Sequence, residues 1–172
     1  MFCIDNCVPL MIQQNTNNGS VLFNRSWAEY KVGFNDSRGN YWIGNDLLSQ
    51  LTLTGRYKLR FDLQSCSNNS NWYFAEYSTF IVLTESSNYR LHVSGHSGNA
   101  RDALRKQNGQ MFTTFDRDND RSSFGNCAAY YGGGFWHNNC YYCCVNCYSS
   151  FIWAGLPGGI DLQSSRMWLQ CQ

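Results

Sequence analysis

Apolar and polar residues alternate most clearly in the middle of the chain. Segment 57–63 alternates from one residue to the next, which is the pattern of a strand with one buried face. Two further β-rich segments follow at 73–84 and 89–93, separated by the turn-like residues 85–88. Connections this short leave no room for a crossover helix, so the spacing predicts an antiparallel sheet.

Two segments ahead of these strands have the pattern of short helices. The first, 26–33, begins at Ser26 and has Glu29 three residues later, which is the spacing of a capping box. The second, 45–51, has Asn45 in the capping position and places three leucines on one face. The pattern thus predicts two short helices before the sheet.

Regular periodicity fades after about residue 110, where glycine, asparagine, cysteine and aromatic residues dominate. A segment of this kind is usually held by disulfides or bound ions rather than by secondary structure. We therefore expect a single domain over 1–172, with a sheet subdomain over 20–110 and a loop-rich subdomain over 111–172.

The composition excludes several classes of protein. The 13 basic and 12 acidic side chains give a net charge of +1, which argues against a nucleic-acid binder. No apolar run reaches the roughly 18–20 residues that a membrane helix requires. Nine cysteines indicate an oxidising compartment and several disulfides. Four N-glycosylation sequons also favour a secreted protein, at Asn18, Asn24, Asn35 and Asn68.

The first residues do not form a signal peptide. Segment 1–12 has no basic start, carries Asp5 and lacks a long apolar stretch. A secreted protein with this sequence would therefore be a mature or truncated piece. The number of cysteines is odd, so one thiol is left over or pairs with another chain.

Three aspartates alternate with other residues in one short loop, at Asp116, Asp118 and Asp120. Alternate side chains of a turning loop can converge on Ca²⁺, which binds about six to eight oxygens. An EF-hand loop would need glycine in place of Arg121 and glutamate in place of Cys127, so a site here is of another kind. The alternative is a solvated acidic turn that the neighbouring arginines neutralise.

Four cysteines lie within eight residues, at Cys140, Cys143, Cys144 and Cys147. Their two CxxC spacings suit a zinc site, although ligands this close leave little chain to wrap an ion. A redox CxxC would need a strand-to-helix setting that this loop lacks. Disulfides are the favoured interpretation and zinc is the alternative; the sequence does not determine the pairing.

Signatures of catalysis are poor. Segment 95–99 misses the GxSxG motif at its last position, and no P-loop, GxGxxG or HExxH motif is present. His92 and His96 lie four residues apart in strand-like sequence, where that spacing does not bring side chains together. We therefore expect a protein that is not an enzyme.

A series of motifs in a fixed order identifies a family. In chain order they include SWAEYKVGF, YWIGN, YKLRFDL, YRLHVSGHSGNARDAL, NGQMFTTFDRDND and GGGFW. Together they resemble the fibrinogen C-terminal domain, or fibrinogen-related domain, of ficolins, tachylectins, tenascins and angiopoietins. The resemblance runs from about Asn18 to Asn146 and less clearly to Met167. Residues 1–19 match poorly, and the upstream strand and helix of the family are missing.

The resemblance implies a mixed α+β fold with a central antiparallel sheet, short helices and a loop-rich C-terminal calcium and ligand subdomain. It implies that Ca²⁺ is bound by the carboxylates of Asp118 and Asp120 and by carbonyls near Ser122 and Phe124. In the family the upstream cysteine pairs with the one at Cys3, which therefore joins Cys7 here or stays free.

The resemblance also implies the ligand pocket and its disulfide. A disulfide joins Cys127 to Cys140, and the Asn139–Cys140 bond matches a peptide bond that is often cis in ligand-binding members. Residues implied to form or support the pocket are Tyr131, Trp136, Asn139, Cys140 and Tyr141.

The lectin-like members of the family bind acetylated sugars. The first functional expectation is therefore an extracellular, innate-immune type of lectin that binds an acetylated carbohydrate such as N-acetylglucosamine, with Ca²⁺ in a structural role. The second is a module that binds a cell-surface or matrix protein. It is favoured by Tyr141, which stands where the lectins usually have histidine, and by the shortened loop 147–153. The third is a non-functional fragment. Relatives often trimerise through an upstream stalk, which implies a homo-oligomer.

Overall fold

The computed structural model of the chain describes residues 8–17, 22–66, 71–140, 142–149, 151–157 and 159–172. Its strands and helices follow one another as β1 (Leu10–Asn15), α1 (Trp27–Val32), β2 (Phe34–Asn35), β3 (Tyr41–Trp42), α2 (Asn45–Thr52), β4 (Tyr57–Ser65), β5 (Trp72–Val82), a 3₁₀ turn (Glu85–Ser87), β6 (Leu91–Gly98), a second 3₁₀ turn (Leu104–Gln107), α3 (Cys127–Tyr131), β7 (Cys143–Cys144), β8 (Ile152–Trp153) and β9 (Leu162–Cys171). No helix in these ranges is long and apolar enough to cross a bilayer.

Seven strands form one antiparallel sheet in the order β2-β3-β1-β9-β4-β5-β6. Strands β4, β5 and β6 confirm the three predicted strands and their antiparallel pairing. Strand β9, however, lies between β1 and β4, at the centre of the sheet. The division at residue 110 assigned it to the loop-rich subdomain, so the structure corrects that boundary.

Buried polar side chains explain why β1 and β9 do not stand out in the sequence. Gln13 in β1 is fully buried, and its amide nitrogen donates to the Val145 carbonyl at 3.0 Å and to Ser165 Oγ in β9 at 3.1 Å. Ser165 is itself buried. The hydrogen bonds satisfy these groups in the interior, but their polarity interrupts the alternation on which the prediction of strands depends.

Helix α1 confirms the predicted capping box. Glu29 N donates to Ser26 Oγ, and a carboxylate oxygen of Glu29 accepts from Ser26 N at 2.9 Å. The backbone hydrogen bond from Ser26 contributes most to lowering the pKa of Glu29. Gly33 ends the helix at φ +93°, where a Cβ would lie 2.7 Å from the Trp42 carbonyl oxygen. The position therefore requires glycine.

Helix α2 forms where it was predicted but starts differently. Its N-cap is Gly44 rather than Asn45, whose side-chain oxygen accepts instead from the Trp42 indole at 3.1 Å. Leu48 is fully buried, whereas Leu47 is exposed. The amphipathic pattern located the helix, but a buried tryptophan competes for the side chain that was expected to cap it.

The core contains a cluster of aromatic rings to which both halves of the chain contribute. Trp136 has no exposed surface and lies between Phe112, at a ring-centroid distance of 5.2 Å, and Trp42, at 6.3 Å. Its indole nitrogen donates to the Tyr89 carbonyl at 2.7 Å. Trp136 is thus a core residue, and its assignment to the ligand pocket was wrong: its large apolar surface is buried against other rings.

Candidate functional site

The disulfide between Cys127 and Cys140 is present, as the resemblance implied, with a Cα–Cα distance of 5.5 Å. Cys127 begins the short helix α3, and Asn126 caps it by accepting from Ala129 N at 2.9 Å. The Asn126 amide also donates to the Thr114 carbonyl at 2.8 Å. The disulfide and the cap together fix α3 to the loop on either side of it.

A cleft of about 610 Å³ opens beside this disulfide. Its lining residues are Ser122, Phe124, Gly125, Asn126, Cys127, Ala129, Tyr130, Tyr131, Asn139 and Cys140. Three of the five predicted pocket residues therefore line one surface, namely Tyr131, Asn139 and Cys140. Trp136 does not line it, and Tyr141 lies outside the described residues.

Aromatic side chains that sequence reasoning did not select form the rim of the cleft. Phe124 is 94% exposed and Tyr130 is 77% exposed, and the rings of Tyr130 and Tyr131 meet edge to face at 4.7 Å. The prediction used Phe124 for its backbone carbonyl alone. Large exposed rings beside a cleft are typical of a surface that binds a ligand or a partner.

The backbone of the cleft differs from the expected geometry at one bond. Within the described ranges no peptide bond is cis, so the Asn139–Cys140 bond is trans. Cys140 instead has a φ of 29°, a sparsely populated conformation for a residue with a side chain. The expectation of a cis bond is therefore wrong for this structure.

The acidic loop uses one of its three aspartates to hold helix α1. Asp116 Oδ1 accepts from the Trp27 backbone nitrogen at 2.9 Å and from the Thr114 hydroxyl at 2.7 Å. A carboxylate at the first turn of a helix satisfies a backbone N–H that has no partner within the helix. Asp118 and Asp120 remain as candidate ligands of a cation.

Asp120 links the acidic loop to the disulfide. Its two oxygens accept from Ser122 N at 2.8 Å and from Cys127 N at 2.7 Å. The pKa of Asp120 is raised. Burial is the main cause and the nearby charge of Asp118 adds to it, while the two hydrogen bonds act in the opposite direction. Two carboxylates this close repel each other, and a bound cation would relieve that repulsion.

The donors present fit Ca²⁺. Each oxygen of Asp120 accepts one hydrogen bond and so has a lone pair left, and Asp118 is exposed. Among the described residues, the carbonyl oxygens of Ser122 and Phe124 accept no hydrogen bond. Carboxylate and carbonyl oxygens are the ligands that Ca²⁺ prefers.

The alternative of an arginine-neutralised turn has less support. The Arg117 guanidinium lies 4.0 Å from the centroid of the Trp27 ring and donates to Asn88 at 2.6 Å. Within the part of the chain that the structure describes, no ion pair joins an arginine to Asp118 or Asp120.

The cysteine cluster contains a second disulfide, between Cys144 and Cys147. Since Cys140 is paired with Cys127, the cluster does not form a four-cysteine zinc site. Cys143 is a buried thiol and Cys66 an exposed one, and Cys171 is disulfide-bonded. Cys3 and Cys7, whose pairing was left open, lie outside the described residues.

Other candidates from the sequence have structural or surface positions. His96 lies 3.0 Å from the Ala100 carbonyl through its Nε2 atom, as expected of a hydrogen-bonded structural histidine. The sequon asparagines Asn24 and Asn35 are exposed, as glycosylation requires. Those at Asn18 and Asn68 lie outside the described residues.

Comparison with known proteins shows the family. Residues 5–159 match the model of the C-terminal globular domain of fibrinogen beta and gamma chains. The chain is 40% identical to human ficolin-3 over 158 residues, which is 91% of this chain and 52% of ficolin-3. It is 43% identical to mouse tenascin over 124 residues, which is 72% of this chain and 6% of tenascin. The chain therefore belongs to the fibrinogen C-terminal domain family and spans about half or less of the length of these relatives.

Solved structures confirm the fold. The fibrinogen-like globe domain of human ANGPTL2 superposes with a TM-score of 0.85 at 34% identity, covering 95% of this chain and 80% of that one. A lamprey fibrin D-dimer, complexed with the peptide Gly-His-Arg-Pro-amide, superposes with a TM-score of 0.82 at 28% identity. The match covers 92% of this chain and 60% of that one. The predicted family and its α+β fold with an antiparallel sheet are thus both confirmed.

Proposed function

We propose that this chain is an extracellular, non-enzymatic recognition module whose cleft binds an acetylated glycan, with Ca²⁺ stabilising the loop beside it. The observation that carries the proposal is the cleft itself, in which Tyr131, Asn139 and Cys140 meet beside the disulfide. Apolar and aromatic walls suit an acetyl methyl group, and a few polar groups such as the Asn139 amide would orient the amide of the sugar.

Calcium has a structural role in this proposal. Asp118, Asp120 and the carbonyls of Ser122 and Phe124 would bind the ion and so fix the 122–127 wall of the cleft. Support comes from Asp120, which already accepts a hydrogen bond from Cys127 at 2.7 Å, in the disulfide that borders the cleft. Loss of the ion would loosen that wall and weaken ligand binding without removing a group that touches the ligand.

The direct test is retention of the folded, oxidised chain on N-acetylglucosamine beads in the presence of calcium. We expect elution by free acetylated sugar and, separately, by a chelator. The Tyr131→Ala variant should lose retention while keeping its fold. Tyr148→Ala is the matched control, because Tyr148 is an exposed tyrosine that lines a different cleft. Retention of Tyr131→Ala equal to that of the control would overturn the assignment of the pocket.

A second candidate function, binding of a protein, is favoured by the exposed rings of Phe124 and Tyr130. The lamprey relative was solved with a bound peptide, Gly-His-Arg-Pro-amide. A labelled form of that peptide is a suitable probe. The second proposal would replace the first if the folded chain were not retained on the sugar beads but bound the peptide. The Phe124→Ala variant should then lose peptide binding.

A further inference from the structure

A histidine and two cysteines converge behind the cleft, in the interior of the loop-rich segment. A ring nitrogen of His137 and the sulfur atoms of Cys144 and Cys147 all lie within 4.8 Å of one another. All three residues are buried. The two sulfurs are joined in a disulfide, and the imidazole lies directly beside it.

The orientation of His137 leaves one nitrogen ready to bind an ion. Nε2 lies 2.9 Å from the Gly133 carbonyl, and a carbonyl can only accept, so the proton is on Nε2. Nδ1 then presents its lone pair, and among the described residues it is buried without a hydrogen-bond partner. Histidines that bind metals commonly donate their other N–H to a carbonyl in this way, which fixes the ring.

Water does not satisfy this nitrogen. His137, Cys143, Cys144 and Cys147 line a common void, and the void is too small to hold a water molecule. A buried acceptor without a partner is uncommon in folded proteins and calls for a functional explanation. Burial lowers the pKa of His137 to about 4, so the imidazole is neutral near pH 7, the form that binds metals.

We propose that His137, Cys144 and Cys147 form a site for a thiophilic metal ion that opens when the Cys144–Cys147 disulfide is reduced. Two thiolates and one imidazole are soft ligands that select Cu⁺ or Zn²⁺. Structural Zn²⁺ requires four ligands, whereas Cu⁺ accepts three. Among the described residues, the group whose donor atoms lie within 4.8 Å of one another consists of His137, Cys144 and Cys147, whereas Cys143 lines the same void outside that group. Cu⁺, which three ligands satisfy, is therefore the ion we assign.

The chemistry balances with a dithiol as reductant. The dithiol gives two electrons and two protons to the Cys144–Cys147 bond and is itself oxidised to a cyclic disulfide. Cu⁺ then replaces the two thiol protons, which are released, and Nδ1 gives its lone pair without losing a proton. Exchange with an added small-molecule disulfide, which takes up the two electrons and two solvent protons and leaves as two thiols, re-forms the Cys144–Cys147 bond. The ion is then released, because the thiolate and not the disulfide sulfur is the metal ligand. The site is therefore alternately a disulfide and a metal centre.

The test begins with protein treated with one equivalent of dithiothreitol, which is then removed by gel filtration under nitrogen. Alkylation and peptide mapping verify that Cys144–Cys147 has opened and that Cys127–Cys140 is intact. Cu⁺ affinity and stoichiometry are then measured by competition with a chromophoric Cu⁺ chelator. We expect one tightly bound Cu⁺ per reduced chain and none per oxidised chain. Cys66→Ser is the matched control, since it removes an exposed thiol that is not part of the cluster, and it should bind as the unaltered chain does.

Two variants and a spectrum decide the outcome. The Cys144→Ser/Cys147→Ser chain and the His137→Phe chain should each bind Cu⁺ at least tenfold more weakly than the Cys66→Ser control. X-ray absorption of the Cu⁺-loaded chain should show two sulfur ligands and one nitrogen ligand. This measurement uses the unaltered chain, so it does not depend on whether a variant folds. Equal affinity in either folded variant, Cu⁺ binding by the oxidised chain, or a sulfur-only spectrum would overturn the proposal.

Discussion

The central sheet and the loop-rich segment 111–161 achieve order by opposite means. In the sheet, backbone ladders run over as many as nine paired residues, and Leu59, for example, lies between Tyr77 and Leu169 in the interior. In the loop-rich segment, the described strands β7 and β8 have two residues each. Order there depends on two disulfides and on side chains that bond the backbone, as Asn146 does with Gly134 at 3.0 Å.

The difference shows where function can vary. A sheet held by backbone hydrogen bonds and apolar area accepts many sequences, provided that the alternation is kept. A loop held by particular polar groups depends on each of them, but its other positions are free to build a cleft. Trp136 joins the two regions, since it comes from the loop-rich segment and packs in the core, as Phe112 and Trp153 of the same segment also do.

The largest effect is expected at this junction. Trp136→Ala should destabilise the whole domain by about 3–5 kcal/mol, the usual cost of removing a buried large aromatic side chain. Urea unfolding monitored by far-UV circular dichroism measures the change. If the variant unfolded as the unaltered chain does and lost only ligand binding, Trp136 would belong to the pocket after all.

Removing the Cys127–Cys140 disulfide should have the next largest effect on stability. Cys127→Ser/Cys140→Ser should lose about 3 kcal/mol, the value for a closed loop of about 15 residues. Cys66→Ser, which removes an unpaired thiol, should leave stability unchanged. The measurement is the urea midpoint of both variants. A double variant as stable as this control would show that the hydrogen bonds alone order the loop.

Calcium should stabilise the domain through the loop-rich segment. At a calcium concentration 100 times its Kd, the unaltered chain should gain about 2.7 kcal/mol. Asp118→Ala should abolish that gain, whereas Asp161→Asn, which alters an exposed aspartate outside the acidic loop, should keep it. Melting temperatures with calcium and with a chelator give the comparison. An Asp118→Ala chain that still responds to calcium would place the ion elsewhere.

The smallest effect is expected at the cap of α3. Asn126→Ala removes the side chain that accepts from Ala129 N and should cost about 1 kcal/mol. The exposed Asn24 provides the control, since its replacement by alanine should be nearly neutral. The free energies of unfolding of the two variants, measured by chemical denaturation, give the comparison. Equal stabilities would mean that the disulfide alone positions the helix.

The same contrast explains how much the sequence revealed. Helix α1 and strands β4 to β6 follow local rules of capping and alternation, so they were predictable. Strand β9 carries buried serines, and α2 is capped by a glycine because Trp42 takes the Asn45 side chain. The position of β9 depends on strands far away in the sequence, and the cap of α2 depends on a hydrogen bond that a core tryptophan takes. Periodicity reveals neither of these interactions.

In the loop-rich segment, the family resemblance rather than periodicity gave the correct disulfide and three residues of the cleft. It misplaced Trp136, because a tryptophan in an aperiodic stretch suits a pocket wall and a core equally well. It also gave no sign of His137 beside Cys144 and Cys147. That convergence is created by the turn of the loop and has no spacing rule of its own.

The order of the strands also determines when the fold can be completed during synthesis. The central strand β9 is the last strand of the sheet to leave the ribosome. Until residues 162–171 emerge, β2–β3–β1 and β4–β5–β6 are two half-sheets that share no ladder and expose the edges of β1 and β4. Pairs such as Leu10 with Leu169 then join residues that are more than 150 positions apart, so the sheet stays open at its centre until residues 162–171 have been synthesised.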